Sequence, residues 1–320
     1  MGALPVFNIT IYTNIMQMKK LILAGGTGFL GQAIINRFSN STTQLIVLTR
    51  GKSKQIKNVS YLNWDGKRIS DWAKEVDGAE VVINLTGKSV DCRYNEKNKA
   101  EIISSRVNAT KVIGEAIKNS KNPPRVWLNC ASATIYRHAE DRPMDEFEGE
   151  FGRGFSVDVC KQWEQSFNEA ETPGTRKVAL RISMVFGKSG GVIPVLVKLV
   201  KAGLGGKMGT GNQYISWIHE EDFLNAITWL IENEKAVGAY NIAAPEPIRN
   251  KEFMRQMRNF LHKRIGLPAA KWMLEIGAVF LRTETELILK SRRVVPKKLL
   301  NEGFEFKFPS AEQALKNLLN

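Results

Sequence analysis

From residue 19 onward, short apolar runs alternate with stretches whose apolar residues recur at helical spacing. Lys20-Leu21-Ile22-Leu23-Ala24 reads as a strand and 29–38 as the helix that follows it. Further strands are predicted over 44–49, 80–85, 125–130 and 176–182, with a weaker one over 59–62. Helices are predicted between them over about 95–119 and 157–170. The strands carry apolar residues at consecutive positions, as strands covered on both faces do. Strand and helix in strict alternation predict an α/β fold with a parallel, doubly wound sheet. Right-handed crossovers then place the ligand crevice at the carboxyl ends of the strands.

Past residue 186 the rhythm breaks. Helical patterns cover 192–201, 221–232, 251–263 and 269–281, interrupted by a glycine-rich run over 203–211. One strand-like piece, 238–243, is expected to rejoin the main sheet. The expected organisation is a nucleotide-binding domain over 18–186, with 214–243 returning to it. Residues 187–213 and 244–320 would form a smaller, mainly helical substrate cap. Residues 1–17 carry no Lys or Arg and no cleavage-site pattern, so they are read as an N-terminal extension rather than a secretory signal.

Composition narrows the function classes. The chain has 320 residues, 43% of them hydrophobic, which excludes wholesale disorder. Its 46 Lys+Arg against 32 Asp+Glu give a net charge of +14. The basic residues are scattered, with no zinc-finger, RRM or basic-helix signature, so the charge is read as a surface that attracts anions, not as a nucleic-acid site. Cys92, Cys130 and Cys160 lie far apart in sequence, which points to a reducing, cytoplasmic setting. His138, His219 and His262 are isolated and make no metal-ligand pattern. No apolar run approaches the length of a membrane span.

The strongest local signal is Gly25, Gly26, Thr27, Gly28, Phe29, Leu30 and Gly31, between the first strand and the first helix. In that context G-x-x-G-x-x-G is a dinucleotide fingerprint. Glycine permits the turn and a close backbone approach to a pyrophosphate, and the helix's unpaired N–H groups face the negative charge. At the end of the second strand, where an NAD site wants a carboxylate, the chain has Thr49-Arg50 followed by Lys52 and Lys54. Arg50 suits a 2′-phosphate, so NADP(H) is favoured over NAD(H).

With a Rossmann-type site in place, the chain resembles the extended short-chain dehydrogenase/reductases. More closely, it resembles the atypical subgroup described as an NAD-dependent epimerase family with its own C-terminal domain. The marks are Gly25-x-x-Gly28-x-x-Gly31, Asn84-Leu85-Thr86-Gly87, Ser104-Ser105-Arg106-Val107 and Ser132-Ala133-Thr134-Ile135-Tyr136. Later come Trp163-Glu164, Gly203-Leu204-Gly205-Gly206, Ser216-Trp217-Ile218-His219 with Asp222, Tyr240-Asn241, Ala244-Pro245 and Val295-Pro296-Lys297. The resemblance implies that Asn84, Leu85, Thr86 and Gly87 lie beside the cofactor ribose. It also implies that Ser132 orients a substrate oxygen.

Two departures matter. The Tyr-x-x-x-Lys step that relatives use for acid–base work falls on Ser156 and Cys160. A serine hydroxyl is far less acidic than a phenol, and Cys160 would need an electropositive setting to ionise. Lys161 is one residue out of register, about 100° around the helix. On the long helix, Arg106 replaces an inward asparagine; its fork suits a carboxylate or phosphate, on a substrate or within the chain. Tyr136 is a further candidate for proton transfer, and the segment 137–153 is a candidate lid. Trp217 is read as an aromatic wall or core residue. His219 is read as a helix cap that is also placed for substrate contact.

The sequence therefore predicts an NADP(H)-binding oxidoreductase or epimerase. Its substrate would be a small carbonyl, alcohol or nucleotide-sugar-like molecule of unspecified identity. A cofactor-binding sensor that has lost turnover is the alternative.

Overall fold

The computed structural model describes residues 18–39, 43–270, 272–273, 275 and 286–320. The expected extension over 1–17 and most of the helix expected over 269–281 lie outside the described residues.

The main sheet contains β1 (Lys20–Ala24), β2 (Gln44–Thr49), β4 (Val59–Asn63), β5 (Val81–Asn84), β6 (Val126–Ser132), β7 (Arg176–Ile182) and β11 (Gly238–Ile242). These pair in parallel in the order β11-β7-β6-β5-β1-β2-β4. An unforeseen strand, β3 (Lys54–Ile56), closes one edge antiparallel to β4. Its three residues are all exposed and include a lysine, the kind of short charged strand that blunts a sheet edge.

Alternate strand residues feed two separate cores, which explains the nearly continuous apolar runs. Leu21, Leu23, Leu45, Val47, Val81 and Ile83 pack with Ile34 and Phe38 of α1 (Phe29–Phe38) and Phe223 and Ile227 of α5 (Glu220–Glu232). Ile22, Ile46, Val82 and Trp127 pack on the opposite face with Val112 and Ile113 of α2 (Glu96–Lys118) and Phe167 of α3 (Phe155–Asn168). α2 starts where Asn95 accepts a hydrogen bond from the Asn98 N–H at 2.8 Å, with Glu96 in the first turn and Lys118 in the last.

Beyond β7 the chain builds a third core from α4 (Ile193–Lys201), α6 (Asn250–Phe260) and α9 (Ala311–Leu319) around Phe186, Trp217 and Phe253. Short strands β8 (Met184–Phe186) and β10 (Trp217–His219) pair in parallel, and β9 (Tyr214–Ile215) pairs antiparallel with β12 (Ile248–Arg249). Of the stretch expected to return to the main sheet, β11 pairs there and α5 packs on it. Residues 214–219 instead join these two small sheets. The C-terminal region adds α7 (Glu286–Leu289) and α8 (Lys297–Asn301).

The segment expected as a lid is stitched to that C-terminal region. Met144 N–H donates to the Arg293 carbonyl at 2.7 Å, Val295 N–H to the Met144 carbonyl at 3.0 Å, and Ser291 Oγ to the Ala139 carbonyl at 2.7 Å. Arg137 and Arg142 share Glu150, and Arg137 also pairs with Asp141. Among the described residues, no helix is long and apolar enough to cross a membrane.

Candidate functional site

β1 lies between β2 and β5, so the chain changes direction across the sheet at β1, the position where parallel α/β sheets place a ligand crevice. Gly25 turns the chain there with φ of +82°. A Cβ on it would lie 2.9 Å from the Leu85 carbonyl carbon and 3.0 Å from the Thr86 nitrogen. Gly31 packs its helix onto the turn: a Cβ would sit 2.5 Å from Gly26 Cα and 2.7 Å from the Gly25 oxygen. Gly28 differs, since nothing lies within 4 Å of the space a Cβ would fill.

Gly28 is also the N-cap of α1, with no side-chain cap and no acidic residue in the first turn. The helix therefore presents unpaired N–H groups and its positive end to an open surface. These features fit a dinucleotide pyrophosphate. Thr27 is exposed, whereas the Phe29 ring is half-buried against Gly187, Gly190 and Gly191. Those three glycines gave no signal in the sequence, because their role depends on a ring more than 150 residues away in the chain.

At the end of β2, Arg50 is exposed and has no ion pair or side-chain hydrogen bond among the described residues. Arg68 nearby in sequence is held by Asp65 at 2.9 Å. Asn84 ends β5 fully buried. Its Nδ2 donates to Asn129 Oδ1 at 2.7 Å, and its Oδ1 accepts the Thr86 N–H at 3.0 Å. Asn84 therefore braces the strand end from behind, while Leu85, Thr86 and Gly87 form the surface of the turn. Thr86 Oγ1 is buried without a hydrogen-bond partner.

Ser132 ends β6, and its Oγ accepts the Thr134 N–H at 3.2 Å, which holds the hydroxyl at the strand's carboxyl end. On α3, Ser156 Oγ donates to Glu286 Oε2 at 3.0 Å. One turn further along α3, Cys160 Sγ donates to the Ser156 carbonyl at 3.1 Å. Burial pushes the Cys160 thiol up to about 11, reinforced by the Glu164 carboxylate and only partly opposed by Arg106. The electropositive setting that ionisation would need is thus outweighed by desolvation. Burial likewise raises Cys130 to about 12. Lys161 turns away, as its register implies, and donates to the Gly152 carbonyl at 3.3 Å.

Arg106 projects from α2 toward the same region. Its Cζ lies 3.0 Å from where a Gly87 Cβ would be and 5.0 Å from the Trp163 ring, and Nη1 donates to the Ile102 carbonyl at 2.8 Å. No carboxylate pairs with it among the described residues.

Three candidates occupy structural positions. The Tyr136 hydroxyl donates to Asn241 Oδ1 at 3.0 Å and accepts from Arg181 Nη1 at 2.8 Å, and burial raises it to about 12. With both its hydrogen bonds taken inside the protein, it does not offer the proton transfer considered from sequence. Trp217 stacks on Phe186 at 5.1 Å and donates to the Glu246 carbonyl at 3.0 Å, so it fills the third core and not a crevice wall. His219 Nδ1 accepts the Glu221 N–H at 3.0 Å as the cap of α5, while Nε2 meets Asn317 Oδ1 at 3.1 Å. Its ring lies 3.9 Å from that of Phe308, and it is 2% exposed, which closes it to substrate.

The sheet order, the crevice at its switch point and the glycine turn feeding an uncapped helix define a Rossmann-type α/β protein with an appended C-terminal unit. The chain belongs to the NAD dependent epimerase/dehydratase family, whose profile matches residues 21–243. Residues 269–318 match a domain of unknown function, DUF1731. Its relatives include Epimerase family protein SA0724 of Staphylococcus aureus N315, 31% identical over 305 residues that cover 94% of this chain and 99% of that protein. Epimerase family protein YfhF of Bacillus subtilis 168 is also 31% identical, over 93% of this chain and 97% of its own length.

Among solved structures, human epimerase family protein SDR39U1 (isoform 2) with NADPH superposes with a TM-score of 0.83 at 26% identity. That match covers 94% of this chain and 99% of the human one. A nucleoside-diphosphate sugar epimerase from Corynebacterium glutamicum shares the fold, with a TM-score of 0.77 at 24% identity over 97% of this chain and 61% of that one. The family membership expected from the motifs therefore holds.

Proposed function

We propose that the chain binds NADP(H) in the crevice beyond β1 and β5 and acts as an NADP(H)-dependent oxidoreductase or epimerase. Its substrate would be a small carbonyl, alcohol or nucleotide-sugar-like molecule. The observation that carries the reading is the uncapped start of α1, where the space in front of Gly28 is clear. A pyrophosphate there would accept from the backbone N–H groups of the first turn. Leu85, Thr86 and Gly87 would flank the ribose beside the nicotinamide. Arg50, charged and without a side-chain partner among the described residues, would meet the 2′-phosphate. The NADPH of the human relative supports this choice.

The bound cofactor would supply or accept hydride at its nicotinamide ring. Ser132, fixed at the end of β6, would orient the substrate oxygen, and Arg106 would contribute to the substrate-facing wall. The tyrosine and lysine used by related enzymes are replaced by Ser156 and Cys160, so the proton would come through another group or water. Calorimetry should show NADPH binding more tightly than NADH. Single-turnover oxidation of bound NADPH should then appear with some member of a panel of carbonyl compounds and nucleotide sugars, and vanish in Ser132→Ala.

A second reading is a sensor that binds the cofactor without turnover. The observation favouring it is Cys160, whose thiol stays protonated near neutrality where a reactive partner would be expected. Inertness across the panel, together with a protein partner that binds only the NADPH-loaded form, would select that reading.

A further inference from the structure

Arg50 sits on a loop whose path follows from the order of the strands. β2 and β4 are parallel neighbours, whereas β3 lies beyond β4 and runs antiparallel to it. Residues 50–53, which join β2 to β3, therefore pass over the carboxyl end of β4. Asn63, the last residue of β4, stands at that end, paired in register with Thr49.

Asn63 holds this loop at its start and at its finish. Its amide Nδ2 donates to the Gly51 carbonyl at 2.8 Å and to the Arg50 carbonyl at 3.3 Å. Its backbone N–H donates to Ser53 Oγ at 2.9 Å. From the β2 side, Thr49 Oγ1 accepts the Gly51 N–H at 3.1 Å, and the Thr49 carbonyl accepts the Trp64 N–H at 2.9 Å. Arg50, Gly51 and Ser53 are thus tied down although all of them are exposed.

Bonds among exposed groups add little to stability, because water competes for them. What these bonds do set is where the backbone of Arg50 lies. Ordering a long side chain on a ligand costs conformational entropy, and a loop already fixed lowers the cost of binding. An asparagine amide suits the task. Its two N–H groups can hold two successive carbonyls, and being neutral it neither attracts nor repels a phosphate.

We infer that Asn63 is a positioning residue for the cofactor's 2′-phosphate, fixing the turn at 50–51 so that Arg50 presents its guanidinium there. The inference rests on the proposed NADP(H) reading and deepens it: the choice between NADPH and NADH comes to depend on a residue that does not touch the phosphate.

Calorimetry on the full-length protein with NADPH and with NADH tests the role. Asn63→Ala should weaken NADPH by roughly three- to tenfold, as loss of neutral hydrogen bonds implies, and leave NADH within about twofold. A merely structural asparagine would lower both cofactors together. Thr49→Val removes the opposite tie to Gly51 while keeping a branched side chain in β2, and it should shift the ratio the same way should Asn63→Ala misfold. A double-mutant cycle gives the sharper readout. In an Arg50→Gln background the phosphate has lost its partner, so Asn63→Ala should change NADPH affinity by less than about twofold. A full loss in that background would overturn the inference, by giving Asn63 a contact of its own. NADPH affinity unchanged in both Asn63→Ala and Thr49→Val would overturn it as well, while a loss in Arg50→Gln would leave the cofactor reading standing. A parent that binds NADPH no better than NADH, or binds neither, would end the cofactor reading and the role of Asn63 together.

Discussion

Gly28 and Gly25 stand three residues apart and separate binding from folding. Gly28 has an ordinary negative φ of −83° and open space before it, so Gly28→Val should cost stability only about 1 kcal/mol, as a weaker N-cap. Its branched side chain would fill the space proposed for the pyrophosphate, and NADPH binding should vanish in calorimetry. Gly25→Ala should destabilise instead, by on the order of 1–3 kcal/mol in urea unfolding, because its φ of +82° and the Leu85 backbone leave no room for a Cβ. Arg50→Glu should weaken NADPH about ten- to a hundredfold while leaving NADH nearly unchanged, since it replaces attraction by repulsion at one phosphate. Equal losses for both cofactors would remove the assignment to the 2′-phosphate.

At this scale the glycine turn was legible because its signal is local: spacing between a strand and a helix defines it. Asn84 was less so. Sequence places it beside the ribose by resemblance, and only the fold reveals Asn129 behind it as the partner of its amide.

Elements are joined by a buried pair that no spacing rule could foresee. Glu164 of α3 accepts two bonds from Arg181 of β7, each 2.8 Å, and Arg181 goes on to the Tyr136 hydroxyl. The two side chains are 8% and 10% exposed. Glu164→Gln should therefore destabilise by about 3–5 kcal/mol in urea unfolding, because it strands a buried guanidinium. A loss below about 1 kcal/mol would show that water reaches the pair. Helices and strands themselves were readable to within two or three residues. The exceptions were β3, whose polar residues lack any apolar pattern, β8, β9, β10 and β12, too short for periodicity to register, and the helices α7, α8 and α9, none of which was expected beyond residue 281.

At the scale of the whole molecule, His219 contributes to the response to acid. Burial lowers its pKa from 6.5, with Asn317 and Glu221 opposing only in part. The unfolded chain then takes up a proton at a pH where the native chain does not, so stability is retained above about pH 6.5 and falls below it. Melting temperatures between about pH 7.5 and 5.5 should drop less for His219→Asn than for the parent, although the variant starts lower at the upper pH. A parallel fall in both would assign the acid sensitivity to other groups. The overall architecture was legible because strand–helix alternation encodes it. The packing of 137–153 against the C-terminal region was not, since backbone hydrogen bonds between distant segments leave no mark on composition.

That stitching sets an order of events during synthesis. Ala139 waits 152 residues for Ser291, and β7 waits for β11 to cover its outer edge. A nascent chain halfway out of the ribosome would thus already have β1 to β6, beside an unguarded sheet margin. Closing contacts so remote in the chain is slow. Within a cell, this protein should lean on chaperones most heavily in the interval before residues 291–295 emerge.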